Sequence, residues 1–357
     1  MDTPLEPEAC YRAVATRDPR FDGRFFTCVK TTGIYCRPVC PARTPRRENV
    51  SFVPSAAAAE EAGYRACLRC RPETAPDMGA WKGTSATVGR ALALIEAGAL
   101  DEGDVDALAA RLGMGERQLR RLFRRHLGAA PVSVAQTRRV LLAKALIQET
   151  DLGMAEVALA SGFGSVRRFN ETFQALYGRS PSALRRGATR NEGGGVKLSL
   201  AYRAPYDEEA MLAALTARGD AVQGGVWRRT LTPEIDGAAG AVSARFEKQR
   251  LMVEAETPDL RVLPGVLARV RRVFDLSADP DAIAADLAGD PGLRAALSAQ
   301  PGLRLAGDWI DAGDTAPSDR LPDDFPPALM NRAEAWRPWR AYGALYFKTM
   351  ETRDVAA

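Results

Sequence analysis

The chain has 357 residues, of which 46% are hydrophobic, with a formal net charge of +4, enough for two to four domains with cores of their own. No apolar run reaches the ~18 residues of a membrane span. The acidic opening MDTPLEPEAC also lacks the hydrophobic centre of a secretory signal, so a cytoplasmic protein with no membrane partner is expected. His126 is the single histidine, which excludes an HExxH or three-histidine metal site, argues against a Ser-His-Asp triad, and leaves sulfur or carboxylate to hold any metal.

The first segment runs to about Pro72 and ends in the linker-like RPETAPDMG. It carries Cys36 and Cys40 in TTGIYCRPVC, then Cys67 and Cys70 in CLRC. Cys-x3-Cys followed by Cys-x2-Cys is spacing that converges on one tetrahedral Zn2+, and a reducing compartment makes paired thiols metal ligands more often than disulfides. Cys10 and Cys28 fall outside the quartet and read as buried thiols. Arg37, Arg43, Arg46, Arg47, Arg65, Arg69 and Arg71 crowd the ligands, and Thr31, Thr32 and Gly33 precede Cys36. Two readings stand on these residues alone. The zinc is a staple for a domain too small to fold unaided, or one metal-bound thiolate is a nucleophile that needs no histidine base.

From about Ser85 to Arg186 apolar residues recur at helical spacing. Two helix-turn-helix units are predicted. In the first, Leu108, Ala109 and Leu112 lie on one helix, Gly113-Met114-Gly115 makes the turn, and the second helix buries Leu119, Leu122 and Phe123. Its other face carries Arg117, Arg120, Arg121, Arg124 and Arg125, which repel one another unless a polyanion accepts them. In the second unit Gly162-Phe163-Gly164 makes the turn and Ser165 caps a helix burying Phe169, Phe173 and Leu176, leaving Arg167, Arg168, Asn170 and Glu171 available. A long helix over Val132–Glu149 joins the units, and Ser180-Pro181 starts a final helix. Such a pair fits two reading helices offered to successive major grooves, with Arg and Asn addressing guanine and adenine edges.

A Gly-rich linker, GATRNEGGG, follows. Strands are expected at VKLSLAY, VWRRTL, AVSARFE and RLMVEAE, and helices at EEAMLAALTARG and LPGVLARVRRVFDL. An acidic, Pro-rich stretch from about Asp308 to Pro327 precedes a last helix over roughly Pro327–Thr349. Basic residues concentrate before about residue 190 and acidic ones are frequent after it, which suggests a front half that faces nucleic acid.

The fold class expected is multidomain α+β: a small zinc-bound α/β domain, an all-α tandem helix-turn-helix domain, and an α+β C-terminal domain with a truncated helical part. The stretch RDPRFDGRFFTCVKTTGIYCRPVC through CLRCRPE resembles the N-terminal domain of the Ada adaptive-response family. Residues around ALASGFGS to SPSALRR resemble the AraC-type DNA-binding domain, and about 196–305 resembles the N-terminal domain of AlkA-type glycosylases. The divisions that follow are 1–76, 84–187, a linker 188–195, 196–306, and a glycosylase remnant 307–357.

The Ada resemblance implies that Cys36 accepts a methyl group and that Cys36, Cys40, Cys67 and Cys70 hold Zn2+. It also implies that Thr32, Arg43 and Arg47 lie against the DNA backbone. Four thiolates on Zn2+ carry 2−, and methylating one sulfur leaves 1−. A unit charge pair at 4–6 Å is worth about 3–4 kcal/mol near a surface, so about two decades of DNA affinity are at stake. The function expected is a stoichiometric methylphosphotriester-DNA methyltransferase that becomes a transcription activator. Its partners would be double-stranded DNA and RNA polymerase, its place the nucleoid. DNA would be contacted by Arg117, Arg120, Arg121, Arg124, Arg167, Arg168 and Asn170. No cysteine follows Cys70, so the guanine-O6 activity of Ada itself is excluded. The alternatives are an AraC-type regulator with a structural zinc, or a residual glycosylase. Against the latter, no LPGIGPWTA-like hairpin is present, and Asp314, Asp319, Asp323 and Asp324 are candidate carboxylates by position only.

Overall fold

The computed structural model describes residues 6–76, 86–185, 195–310 and 317–356. The N-terminal part opens with α1 (Pro7–Thr16), followed by β1 (Phe26–Val29), β2 (Ile34–Cys36), β3 (Val50–Val53), α2 (Ala56–Glu61) and β4 (Arg65–Ala66). These strands form one sheet in the order β3-β1-β2-β4, with β2 and β4 parallel and the other pairs antiparallel. The parallel register sets Ile34 against Arg65 and Tyr35 against Ala66. Both strands therefore deliver their cysteines, Cys36 and Cys67, at the same end of the sheet. Ser55 caps α2 by accepting from the Ala58 amide at 3.0 Å.

The middle part is all helical: α3 (Ala86–Glu96), α4 (Val105–Arg111), α5 (Glu116–Leu127), α6 (Pro131–Glu149), α7 (Met154–Ala160) and α8 (Val166–Tyr177). Leu119 and Phe123 of α5, and Phe169 and Phe173 of α8, are fully buried as their spacing predicts. Pro131 begins α6, where its missing amide costs nothing. The helix expected after Ser180 is one 3-10 turn, Pro181–Leu184. The Ser180 hydroxyl binds Ser182 rather than a backbone amide, so no cap extends the turn.

The C-terminal part holds β5 (Val196–Leu200), α9 (Glu208–Ala217), β6 (Ala221–Gln223), β7 (Val226–Leu231), α10 (Pro233–Asp236), β8 (Gly240–Glu247), β9 (Arg250–Glu256) and α11 (Leu263–Val273). Its sheet runs β5-β9-β8-β7-β6, antiparallel throughout. Then come α12 (Pro280–Leu287), α13 (Pro291–Ala299), α14 (Met330–Glu334) and α15 (Arg340–Ala356). The continuous helix expected over 327–349 is broken into α14 and α15 around Pro338, which has no amide to donate and disfavours helix at the residue before it.

One apolar core runs through all three parts. It joins Phe26, Tyr35 and Ala59 to Val140, Leu146 and Phe169, and these to Leu198, Trp227 and Leu267. The segment 71–79, read as a linker, is partly a packed element. Pro72–Thr74 makes a 3-10 turn in which Pro72 is buried and the Glu73 side chain is only 1% exposed.

Candidate metal centre and nucleic-acid interface

The four sulfurs of Cys36, Cys40, Cys67 and Cys70 lie within 4.8 Å of one another. A tetrahedral zinc at about 2.3 Å from each sulfur needs them about 3.8 Å apart, so the quartet fits the ion with a small contraction. Cys36 is pushed up by its hydrogen bonds to Cys40, Cys67 and Cys70, while Cys40 is pulled down to about 7, chiefly by its bond with Cys36. Four thiols this close cannot all ionise unless positive charge enters among them.

The four are not equivalent. Cys67 and Cys70 are buried, and each sulfur accepts a backbone amide at 3.4 Å, from Arg69 and Arg37 respectively. Cys40 is partly exposed. Cys36 is partly exposed and, among the described residues, its sulfur accepts no backbone donor. Cys10 and Cys28 are buried outside the quartet, and burial raises their thiols to about 11 and about 12, which keeps them inert.

The arginines divide into struts and free cations. Arg37 is a strut: it pairs with buried Asp22 and donates to Thr74 Oγ1 at 2.6 Å and the Cys70 carbonyl at 3.2 Å. It thereby ties the end of β2 to the Cys70 loop. The residue that anchors it, Asp22, had no spacing signal to reveal it. Arg47 pairs with Glu8 at 2.9 Å and lies over the rings of Tyr11 and Phe52. Arg71 reaches Glu73 at 3.2 Å and Glu149 at 2.7 Å. Arg43 and Arg69 are exposed, as is Thr32, whose hydroxyl touches the Val29 carbonyl at 3.4 Å.

On the helix-turn-helix units, Arg117, Arg120, Arg121, Arg124, Arg167, Arg168 and Asn170 are all exposed. Three are engaged within the chain. Arg120 pairs with Glu116 at 2.5 Å, Arg167 with Glu171 at 2.8 Å, and Arg124 with Glu61 of α2. Glu61 also accepts the Ala130 amide at 2.8 Å, so one carboxylate joins the sulfur-bearing part to the entry of α6.

In the C-terminal part Asp319 is bound by Arg337 and Arg340, and Asp324 faces Lys348 at 3.7 Å in solvent. Asp323 is exposed, and Asp314 lies outside the described residues. Trp336 and Trp339 are buried, with their indole N–H groups donating to Asp290 and Asp286 at 2.8 and 2.9 Å. No helix among the described residues is long and apolar enough to cross a membrane.

Comparison with known families matches residues 9–73 to the metal-binding domain of Ada. The quartet lies wholly inside that match. The site is similar to that of an Ada-type metal-binding domain. Residues 108–187 match a helix-turn-helix domain and 197–310 the AlkA N-terminal domain, so the chain carries the three in that order. It is 43% identical over 309 residues to the probable bifunctional transcriptional activator/DNA repair enzyme AlkA of Mycobacterium tuberculosis, covering 84% of this chain and 62% of that one. The chain thus spans under two thirds of the length of that relative. The bifunctional transcriptional activator/DNA repair enzyme AdaA of Bacillus subtilis is 27% identical over 52% of this chain and 85% of its own. The crystal structure of the methylated N-ADA/DNA complex is 35% identical over 38% of this chain and 99% of that chain, with a TM-score of 0.19.

Proposed function

We propose that this protein takes a methyl group from a methylphosphotriester in DNA onto Cys36 and thereby gains affinity for a promoter, where it activates transcription. The observation that carries the choice of Cys36 is its sulfur's environment. It combines partial exposure with the absence, among the described residues, of the N–H···S bonds that dull Cys67 and Cys70. An N–H donor to sulfur stabilises the thiolate's charge and so weakens it as a nucleophile.

Cys36, Cys40, Cys67 and Cys70 would hold the zinc, which when bound keeps the sulfurs ionised at neutral pH. In the transfer, the Cys36 Sγ–CH3 bond forms as the CH3–O bond of the triester breaks. The bonding pair goes to the phosphate oxygen, restoring a phosphodiester. The product is a thioether, from which the methyl does not return. Arg37 holds the strand end that presents Cys36, while Thr32, Arg43 and Arg47 would lie against the phosphate backbone, Arg47 exchanging its pair with Glu8 for a phosphate. Losing one negative charge at the quartet reduces repulsion of DNA, and Arg117, Arg121 and Arg168 supply cations to hold the duplex.

On this reading the working parts are 1–76, 84–187 and 196–306, with 307–357 a remnant. The partners are double-stranded DNA and RNA polymerase, and the location is the nucleoid of the cytoplasm. Mass spectrometry of the zinc-loaded protein after incubation with methylated DNA tests it. A methyl on the peptide containing Cys36 is expected, and an unmodified peptide sinks the repair reading. In that event an AraC-type regulator with a structural zinc is what remains, and its DNA affinity would ignore methylating agents.

A further inference from the structure

The geometry points to a role for the AlkA-type half: it is a clamp in cis that fixes the sulfur-bearing domain on α6, with Glu149 as its positioning residue. Glu149 ends α6. Its Oε1 takes the Arg71 guanidinium at 2.7 Å, one residue beyond the metal ligand Cys70. Its Oε2 accepts both the amide and the hydroxyl of Ser199 on β5, at 3.0 and 3.2 Å. A single carboxylate therefore joins the zinc loop, the helix between the two DNA-reading units, and the C-terminal sheet.

Independent contacts close the same junction. Arg24, in the loop before β1, pairs with Asp279 at 2.7 Å and Asp281 at 3.3 Å at the start of α12. On the C-terminal sheet, Arg250 donates to the Ser199 carbonyl at 3.2 Å and sits among the charges of Glu149, Arg37, Arg71 and Asp22. The C-terminal half also touches three helices of the reading domain: β5 against α6, the turn Leu260–Val262 against α7, and α11 against α3. All of this lies over one continuous apolar core.

The features a base-excision enzyme would need are spent elsewhere. Among the described residues the indoles of Trp336 and Trp339 are satisfied inside the core, and Asp319 is held by two arginines. What the half offers instead is a docking face complementary in charge and apolarity to both preceding domains. Its partner is the rest of its own chain.

The test uses the full-length, zinc-loaded protein and does not depend on methyl transfer. Hydrogen exchange is followed in peptides spanning 64–76 and 196–202 for the wild type, Glu149→Ala and Arg24→Glu. Each variant is expected to raise exchange in the zinc loop by about tenfold or more, since local opening is governed by the contacts that must break. Unchanged exchange in 64–76 for both variants overturns the clamp. Should Glu149→Ala fail to fold, Arg24→Glu decides, because its pair is peripheral. Small-angle scattering of the wild type gives a separate arm. A single compact body of this length has a radius of gyration of about 21 Å, and a value well above that, from loosely tethered domains, equally overturns the proposal. Absence of methyl on Cys36 in the same samples would sink the repair reading alone and leave the clamp standing.

Discussion

Lys144 and Glu73 meet at 2.8 Å with their side chains 0% and 1% exposed, an ion pair sealed between α6 and the turn that follows the cysteines. The Lys144 ammonium also lies 5.8 Å from the centre of the Tyr177 ring. A pair buried this completely adds little over an apolar substitute, but removing one partner strands the other's charge. Arg71 still reaches Glu73 when Lys144 is removed, so the test is Glu73→Leu, which leaves the buried Lys144 ammonium without the carboxylate it bonds. Glu73→Leu is expected to cost about 3–5 kcal/mol in urea unfolding, with Lys144→Met added to Glu73→Leu recovering most of it. Equal losses in the single and double variants would show that packing, and not the uncompensated charge, dominates.

Asp275 gives the C-terminal half a pH dependence. Its carboxyl is raised to about 6 by burial, with the Arg304 charge, the Tyr342 hydroxyl and the Leu305 amide partly offsetting this. A folded value above the unfolded one means the protonated form is favoured in the native state. The stability this contributes is full below about pH 4 and is lost as pH rises through about 6, an effect on the order of 2–3 kcal/mol. Asp275→Asn should flatten that part of the thermal-stability profile between pH 4 and 7. A profile with the wild-type slope would place the titration elsewhere.

Gly162, in the turn between α7 and α8, has φ +85°. A Cβ added there would lie 2.3 Å from an Asp101 carboxylate oxygen and 2.8 Å from Arg138 Nη2. Asp101, in the loop between α3 and α4, binds both Arg138 and Arg139 of α6, so the glycine lets the second unit's turn close onto that ion-pair cluster. Gly162→Ala is expected to cost roughly 2 kcal/mol or more, from a strained backbone and a displaced ion pair. Differential scanning calorimetry reads it directly, and a neutral result would mean the turn relaxes.

DNA binding should follow the division between engaged and free arginines. Arg168→Ala removes a cation that has no ion-pair partner among the described residues. It should lower the slope of log K against log salt by about 1 on any duplex. Arg124 must first leave Glu61, so Glu61→Gln should raise affinity for unmethylated DNA while Arg124→Ala lowers it less than Arg168→Ala. Fluorescence anisotropy on one duplex at several salt concentrations measures all three variants, and indistinguishable slopes would contradict the assignment.

Chelation tests the quartet as a folding element. The N-terminal sheet is four short strands, and β4 has only two residues. Stripping the zinc should unfold residues 26–70 as seen by exchange, since a domain this small draws much of its stability from its metal. Retained protection in β1 and β3 after metal removal would show that docking on α6 suffices.

Much of this architecture was legible in the residues themselves. The cysteine spacing located the quartet, and helical periodicity located both reading units, because metal ligation on short turns and amphipathic helices are local in sequence. The strands VWRRTL and RLMVEAE were read at their observed bounds for the same reason. Which arginines remain free was not legible. Arg37 and Arg43 look alike in sequence, yet one is spent on Asp22 and the other is exposed. The bonds that single out Cys36, the burial of Glu73 on Lys144, and the meeting of Arg71, Glu149 and Ser199 are likewise tertiary. Apart from the Arg69 amide on Cys67, two residues away, each joins residues tens of positions apart, and hydrogen bonds and ion pairs between distant segments leave no periodicity to read. Composition and spacing alone determined that four thiols gather at one metal site and that two basic helix-turn-helix units follow it. Only packing decided which of the chain's charges are left free.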